Sequence, residues 1–162
     1  MGRRCLLGLA AAACLALGAC GDDRLSRPEY VSRANALCRE NERRIAEVAQ
    51  DVVGKGRRSR GRRRQEEIRN EVLRRSLPIT RSMLGRLRAL RPPEEDEARV
   101  TRFLDQIEEA ADLLSQVERA ARERDRARVG ELTTRIVAVA GPSRRFAQDY
   151  GLRDCLPEAG SA

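Results

Sequence analysis

Three groups of side chains in this chain have types and spacing suited to chemistry: five cysteines, an arginine-rich segment and a run of carboxylates. The arginines are Arg57, Arg58, Arg60, Arg62, Arg63 and Arg64. A guanidinium presents a planar fork of donors that matches phosphate oxygens, so these six form a candidate anion-binding segment. Glu94, Glu95, Asp96 and Glu97 are consecutive. On a helix such neighbours fan out around the axis and do not converge on one cation. They read instead as carboxylates at the positive end of a helix dipole. Histidine is absent, which excludes Ser–His and Cys–His nucleophilic schemes and the Glu-x-x-His pairs of di-iron bundles. Ser76, Ser82, Ser115 and Ser143 lack the glycine elbow of a hydrolase nucleophile. No C-x-x-C pair offers a zinc site. No catalytic residue, metal or cofactor is expected, and the chain reads as non-enzymatic.

The elements that position these groups follow from composition. A chain of 162 residues suits one core. Its aromatic residues are Tyr30, Phe103, Phe146 and Tyr150, with no Trp. Abundant Ala, Leu, Arg and Glu favour helices, whereas the β-branched and aromatic residues that sheets draw on are sparse. The formal net charge is +8. Arg3 and Arg4 account for two of the 33 basic residues, leaving 31 against 25 acidic ones. The segment from Lys55 to Arg64 holds seven more and no acid, so the remainder, 24 against 25, is nearly neutral. The excess charge is therefore local.

Residues 1–19 have the three parts of an export signal. Arg3 and Arg4 are the positive start, Leu6 to Leu17 is an apolar run of twelve, and the small residues Gly18 and Ala19 precede Cys20. The run falls short of the roughly 20 residues of a spanning helix but suits a signal-peptide core. Leu17-Gly18-Ala19-Cys20 resembles the lipobox of bacterial lipoproteins. That resemblance implies diacylglyceryl transfer to the Cys20 sulfur and cleavage between Ala19 and Cys20. The implied location is the extracytoplasmic face of a membrane, with the lipid as anchor.

Cys5 and Cys14 leave with such a leader and Cys20 carries lipid, so Cys38 and Cys155 remain. An exported compartment permits a disulfide between them. Two buried free thiols are the alternative reading.

Residues 20–25 read as a lipidated tether and 26–156 as the folded domain, with a tail at 157–162. Ser26 to Glu29 has the form of a capping box, with Pro28 fitting the first turn. The first helix carries a stripe at Tyr30, Ala34, Leu37, Ile45, Val48 and Val52, in which Asn41 fills the gap. Gly54 is expected to end it, and residues 54–61 read as a flexible basic loop. A second helix is expected over about 62–90, with a stripe at Ile68, Val72, Ile79, Met83, Leu87 and Leu90 and a kink or break at Pro78. Pro92-Pro93 separates it from a third over about 94–124, striped at Val100, Phe103, Leu104, Ile107, Ala111, Leu114, Val117 and Ala121. A turn near Arg124-Asp125 leads to a fourth over 126–150, with a bend at Gly141-Pro142 and Gly151 as its cap. These elements predict an all-α, up-down-up-down four-helix bundle. In that topology the end of helix four lies beside the start of helix one, where Cys155 can meet Cys38.

A second resemblance covers most of the mature chain. Ala34-Asn35-Ala36-Leu37-Cys38, the central Pro92-Pro93, and Tyr150-Gly151-Leu152-Arg153-Asp154-Cys155 are similar to small exported two-cysteine helical proteins of actinobacteria, a group to which no function is attached. The functional expectation is a lipid-anchored, non-catalytic protein that contacts an envelope protein or polymer. Two alternatives are an electrostatic binder of anionic lipid or wall polymer through the arginine segment, and a bundle with a small-molecule pocket at Pro78 and Pro142. Nucleic acid is not expected as a partner, because no aromatics interleave with the arginines.

Overall fold

The computed structural model describes residues 23–56 and 61–156. They form four α-helices, α1 (Arg27–Gly56), α2 (Arg62–Ala89), α3 (Glu94–Glu123) and α4 (Arg126–Tyr150), followed by a 3-10 turn at Arg153–Cys155. The architecture is the expected all-helical bundle, with α1 packed on α2, α2 on α3 and α3 on α4.

Local chemistry sets the helix ends. At the start of α1 the Ser26 N–H donates to Glu29 Oε2 at 3.0 Å, so the carboxylate reaches back as a capping box requires. The Ser26 hydroxyl also donates to that carboxylate. Gly54 does not end α1, which runs on to Gly56. Nothing crowds Gly54, and its backbone does not enter the left-handed region. Of the expected loop, 54–56 is therefore helical, and 57–60 lie outside the described residues. Pro93 precedes the four carboxylates in the first turn of α3.

The α3–α4 turn is a Schellman motif. Arg124 adopts the left-handed conformation (φ 63°), its N–H donates to the Ala121 carbonyl at 3.2 Å, and the Asp125 N–H donates to the Ala120 carbonyl at 2.9 Å. Asp125 then caps α4 by accepting from the Arg128 N–H at 2.9 Å. Gly151 (φ 95°) ends α4 as expected, and a Cβ there would meet Val31 Cγ1 at 3.5 Å. Neither Pro78 nor Pro142 breaks its helix; both sit inside continuous α2 and α4.

Ion pairs record the antiparallel register. Arg75 pairs with Asp51 at 2.6 Å and Arg86 with Glu40 at 2.7 Å, so eleven residues forward on α2 match eleven back on α1. Arg81 pairs with Asp112 at 3.0 Å and Arg88 with Asp105 at 2.7 Å, seven residues against seven between α2 and α3. Because α2 is gripped from two sides, its most buried residues include Leu77 and Leu84, beside the expected stripe.

The core divides along the bundle. At one end all four helices contribute, including Tyr30 and Ala34, Leu84 and Leu87, Val100 and Phe103, and Ala147 and Tyr150. Toward the other end a second cluster, Leu113, Ala120 and Leu132, comes from α3 and α4 alone. Helices α1 and α4 thus meet at the first end, where Cys38 and Cys155 stand at bonding distance (S–S 2.02 Å).

Candidate functional site

Most of the expected chemistry falls at or beyond the edges of the described chain. Cys20, Ala19, Arg57, Arg58 and Arg60 lie outside the described residues, as does the side chain of Arg62. Arg63 and Arg64 sit in the first turn of α2, and both lean toward Glu67, at 3.9 and 3.2 Å. Pairs of that kind, largely exposed, contribute little to stability.

The entry of the chain into the bundle is defined. The Leu25 N–H donates to the Arg91 carbonyl at 2.8 Å, and Arg24 pairs with Glu97 at 2.8 Å. Residues 24 and 25 are thereby fastened beside the Pro92-Pro93 turn, at the disulfide end. Asp23 is three residues from Cys20, a reach of at most ~11 Å. The last turn of α1 and the first of α2 lie at the opposite end, about 45 Å away for a 30-residue helix.

At the disulfide end one face of α1 holds the residues that follow α4. Asn35 Nδ2 donates to the Gly151 carbonyl at 3.0 Å, and Asn35 Oδ1 accepts from the Asp154 N–H at 3.1 Å. Cys38, three residues on, is bridged to Cys155, and Arg39 pairs with Asp154. The stretches 34–38 and 150–155, singled out separately in the sequence, thus form one contact.

Beside this contact lies a buried polar group that the sequence did not disclose. Tyr150 Oη donates to Asp96 Oδ2 at 2.9 Å, and Asp96 is 6% exposed. Arg27 stacks over the Tyr150 ring at 4.4 Å, and Arg99 Nη1 lies 3.6 Å from Asp96 Oδ1. Burial, and then the bond to Asp96 and its negative charge, raise the Tyr150 phenol well above its usual range. Burial pushes Tyr30 up to about 12. The carboxylate run therefore diverges, as geometry requires: Asp96 turns inward while Glu94, Glu95 and Glu97 remain exposed. The one available sequence signal was Tyr150 itself, a phenol that needs a partner when buried.

The two prolines differ in their surroundings. Pro78 is itself exposed, and the void near it, lined by Asn41, Ile79 and Met83, is about 10 Å³. Beside Pro142 an open cleft of about 210 Å³ lies between α3 and α4, lined by Arg99, Arg102, Phe103, Gln106, Pro142 and Phe146. Among the described residues no group of three or more Cys, Asp or Glu side chains is placed to hold a metal. No described helix is long and apolar enough to cross a membrane. Comparison with protein-family models, with curated proteins and with solved structures returned no match.

Proposed function

We infer that this chain is a non-catalytic lipoprotein of the cell envelope, anchored through acylated Cys20, whose helical body contacts another envelope protein or an envelope polymer. The observation that carries the reading is where the chain enters the bundle. Residues 24 and 25 are bound at the disulfide end, so a lipid on Cys20 holds that end against the bilayer. In an upright bundle the opposite end, with Arg63 and Arg64, then lies about 45 Å from the bilayer. A cystine at Cys38–Cys155 suits an oxidising extracytoplasmic compartment.

This orientation bears on the arginine segment. Attraction to anionic headgroups fades within a Debye length, ~8 Å at physiological salt. In an upright bundle the segment is out of reach of its own membrane, which favours a protein or wall polymer as its contact. Crosslinking in native membranes followed by purification tests the main reading: a reproducible envelope partner is expected, and recovery of the chain alone would count against it. Replacing the six arginines with Gln separates the electrostatic version, because salt-sensitive wall binding should then disappear. Intact mass of the membrane-extracted protein reads the anchor: a chain starting at Cys20 with added acyl mass is expected, and a retained Met1 would reject it.

A further inference from the structure

Several arginines in this protein hold a carboxylate closely. Arg75, Arg81, Arg86, Arg88 and Arg128 each hold one at 3.0 Å or less. The two arginines of the cleft beside Pro142 are held less closely. Among the described residues no carboxylate pairs with Arg102, whose single contact is a long bond from Nε to the Ala98 carbonyl at 3.4 Å. Arg99 reaches Asp96 through Nη1 at 3.6 Å, beyond hydrogen-bond length, and its guanidinium lies 5.5 Å from the centre of the Phe146 ring. The two residues are three apart on α3, so their side chains stand side by side on one wall. Gln106, one turn further on, adds an amide to the same wall.

The rest of the cleft is apolar. Phe103 and Phe146 pack with ring centres 5.2 Å apart, and Phe146 stacks on Tyr150 at 5.0 Å. Pro142 contributes a pyrrolidine ring and no N–H. The Arg102 guanidinium, free of any carboxylate among the described residues, and that of Arg99, loosely paired with Asp96, therefore stand beside an aromatic floor. A bare inorganic anion would leave the rings uncovered, and a neutral ring would leave the donors unanswered.

We propose that this cleft binds a small aromatic oxyanion, its ring laid on Phe146 and Pro142 and its anionic group shared by Arg99 and Arg102. The volume of about 210 Å³ lies below the roughly 300–1,000 Å³ of pockets for drug-sized ligands, which limits the ligand to a single-ring compound. The open shape implies weak, rapidly exchanging binding. The inference stands apart from the lipid anchor and from any contact made at the far end of the bundle.

The test is titration of the isotope-labelled full chain, disulfide intact, followed by NMR of the arginine Nε–H and Gln106 amide signals. The probes are phenyl phosphate and phenylacetate, with inorganic phosphate, acetate and benzyl alcohol as controls. Saturable shifts at Arg99, Arg102 and Gln106 are expected for the two aromatic anions and not for the controls; the stronger of the two identifies the anionic group. Arg102→Gln should weaken binding by about tenfold, the effect of losing a charge-assisted hydrogen bond. The fold should survive that change, because Arg102 makes only the one backbone contact, and unchanged far-UV dichroism checks it. Phe146→Leu should remove the preference of phenyl phosphate over inorganic phosphate. Absence of saturable shifts, equal response to the controls, or full binding by Arg102→Gln would overturn the proposal.

Discussion

Two individual residues carry structural roles that their types do not announce. The first is Asp96, whose carboxylate is buried against Tyr150 Oη. Removing the phenol leaves that oxygen without its donor, a loss of roughly 1–3 kcal/mol for a buried polar group. Tyr150→Phe should lower the denaturation midpoint accordingly, and a change below 0.5 kcal/mol would show that Arg27 and Arg99 satisfy Asp96 alone. The two tyrosines also set an alkaline limit. Tyr30 titrates at about 12 in the fold against 10.0 in the open chain, and Tyr150 shifts in the same direction. Their stabilisation is complete below pH 10 and is lost as pH rises through the folded values. Absorbance of phenolate should therefore stay low at pH 10.5 and rise together with the loss of helix; early ionisation of both rings would contradict their burial. The second residue is Arg124, a side chain in the left-handed region. Arg124→Gly relieves that conformation and should be neutral or stabilising by up to ~1 kcal/mol, whereas Arg124→Val should destabilise by at least as much. Thermal melts of the two variants decide it.

At the scale of elements, the helices are joined by two kinds of contact. Helix α2 meets its neighbours through apolar residues flanked by arginine–carboxylate pairs at matching intervals. Single exposed pairs contribute only ~0.2–1 kcal/mol, so their main effect is on register. Helices α3 and α4 rely on apolar contact, from Phe103 against Phe146 to Leu113 and Leu132. Asn41 interrupts the α1 stripe, and its buried Oδ1 has no hydrogen-bond partner. Asn41→Ala removes that orphan and improves helix propensity, so stability should rise by about 0.5–1 kcal/mol in urea denaturation. A fall would mean that Asn41 holds the α1–α2 seam in another way. The capping box of α1 adds an acid dependence. Hydrogen bonds from the Ser26 hydroxyl and N–H lower the Glu29 carboxyl below 4.5, so its contribution is present above that pH and disappears as pH falls through the lowered value.

For the whole molecule, the disulfide closes a bundle whose outer helices meet mainly at one end. It spans 117 residues, and a loop near that length corresponds to about 4–5 kcal/mol in the chain-entropy account. Reduction, or Cys38→Ser, should remove a substantial part of that stability. It should also act unevenly. Amides around Tyr30–Cys38 should lose protection from hydrogen exchange more than those around Leu113–Ala120, whose cluster does not involve α1. Uniform loss along the chain would show a single cooperative core instead.

The sequence alone established the four helices and their order. These depend on local signals, namely residue spacing of three and four, Pro92-Pro93, Gly151 and the Ser26–Glu29 pair, which act within one turn. Tertiary structure alone decided the rest. Leu77 and Leu84 are core residues because α2 is covered on two sides, Gly54 stays helical because nothing forces a turn there, and Asp96 turns inward because Tyr150 arrives from another helix. The cleft beside Pro142 exists only where α3 and α4 lie together. Each of these depends on which side chains a neighbouring helix brings within a few ångströms, a distance that periodicity along one strand of sequence does not encode.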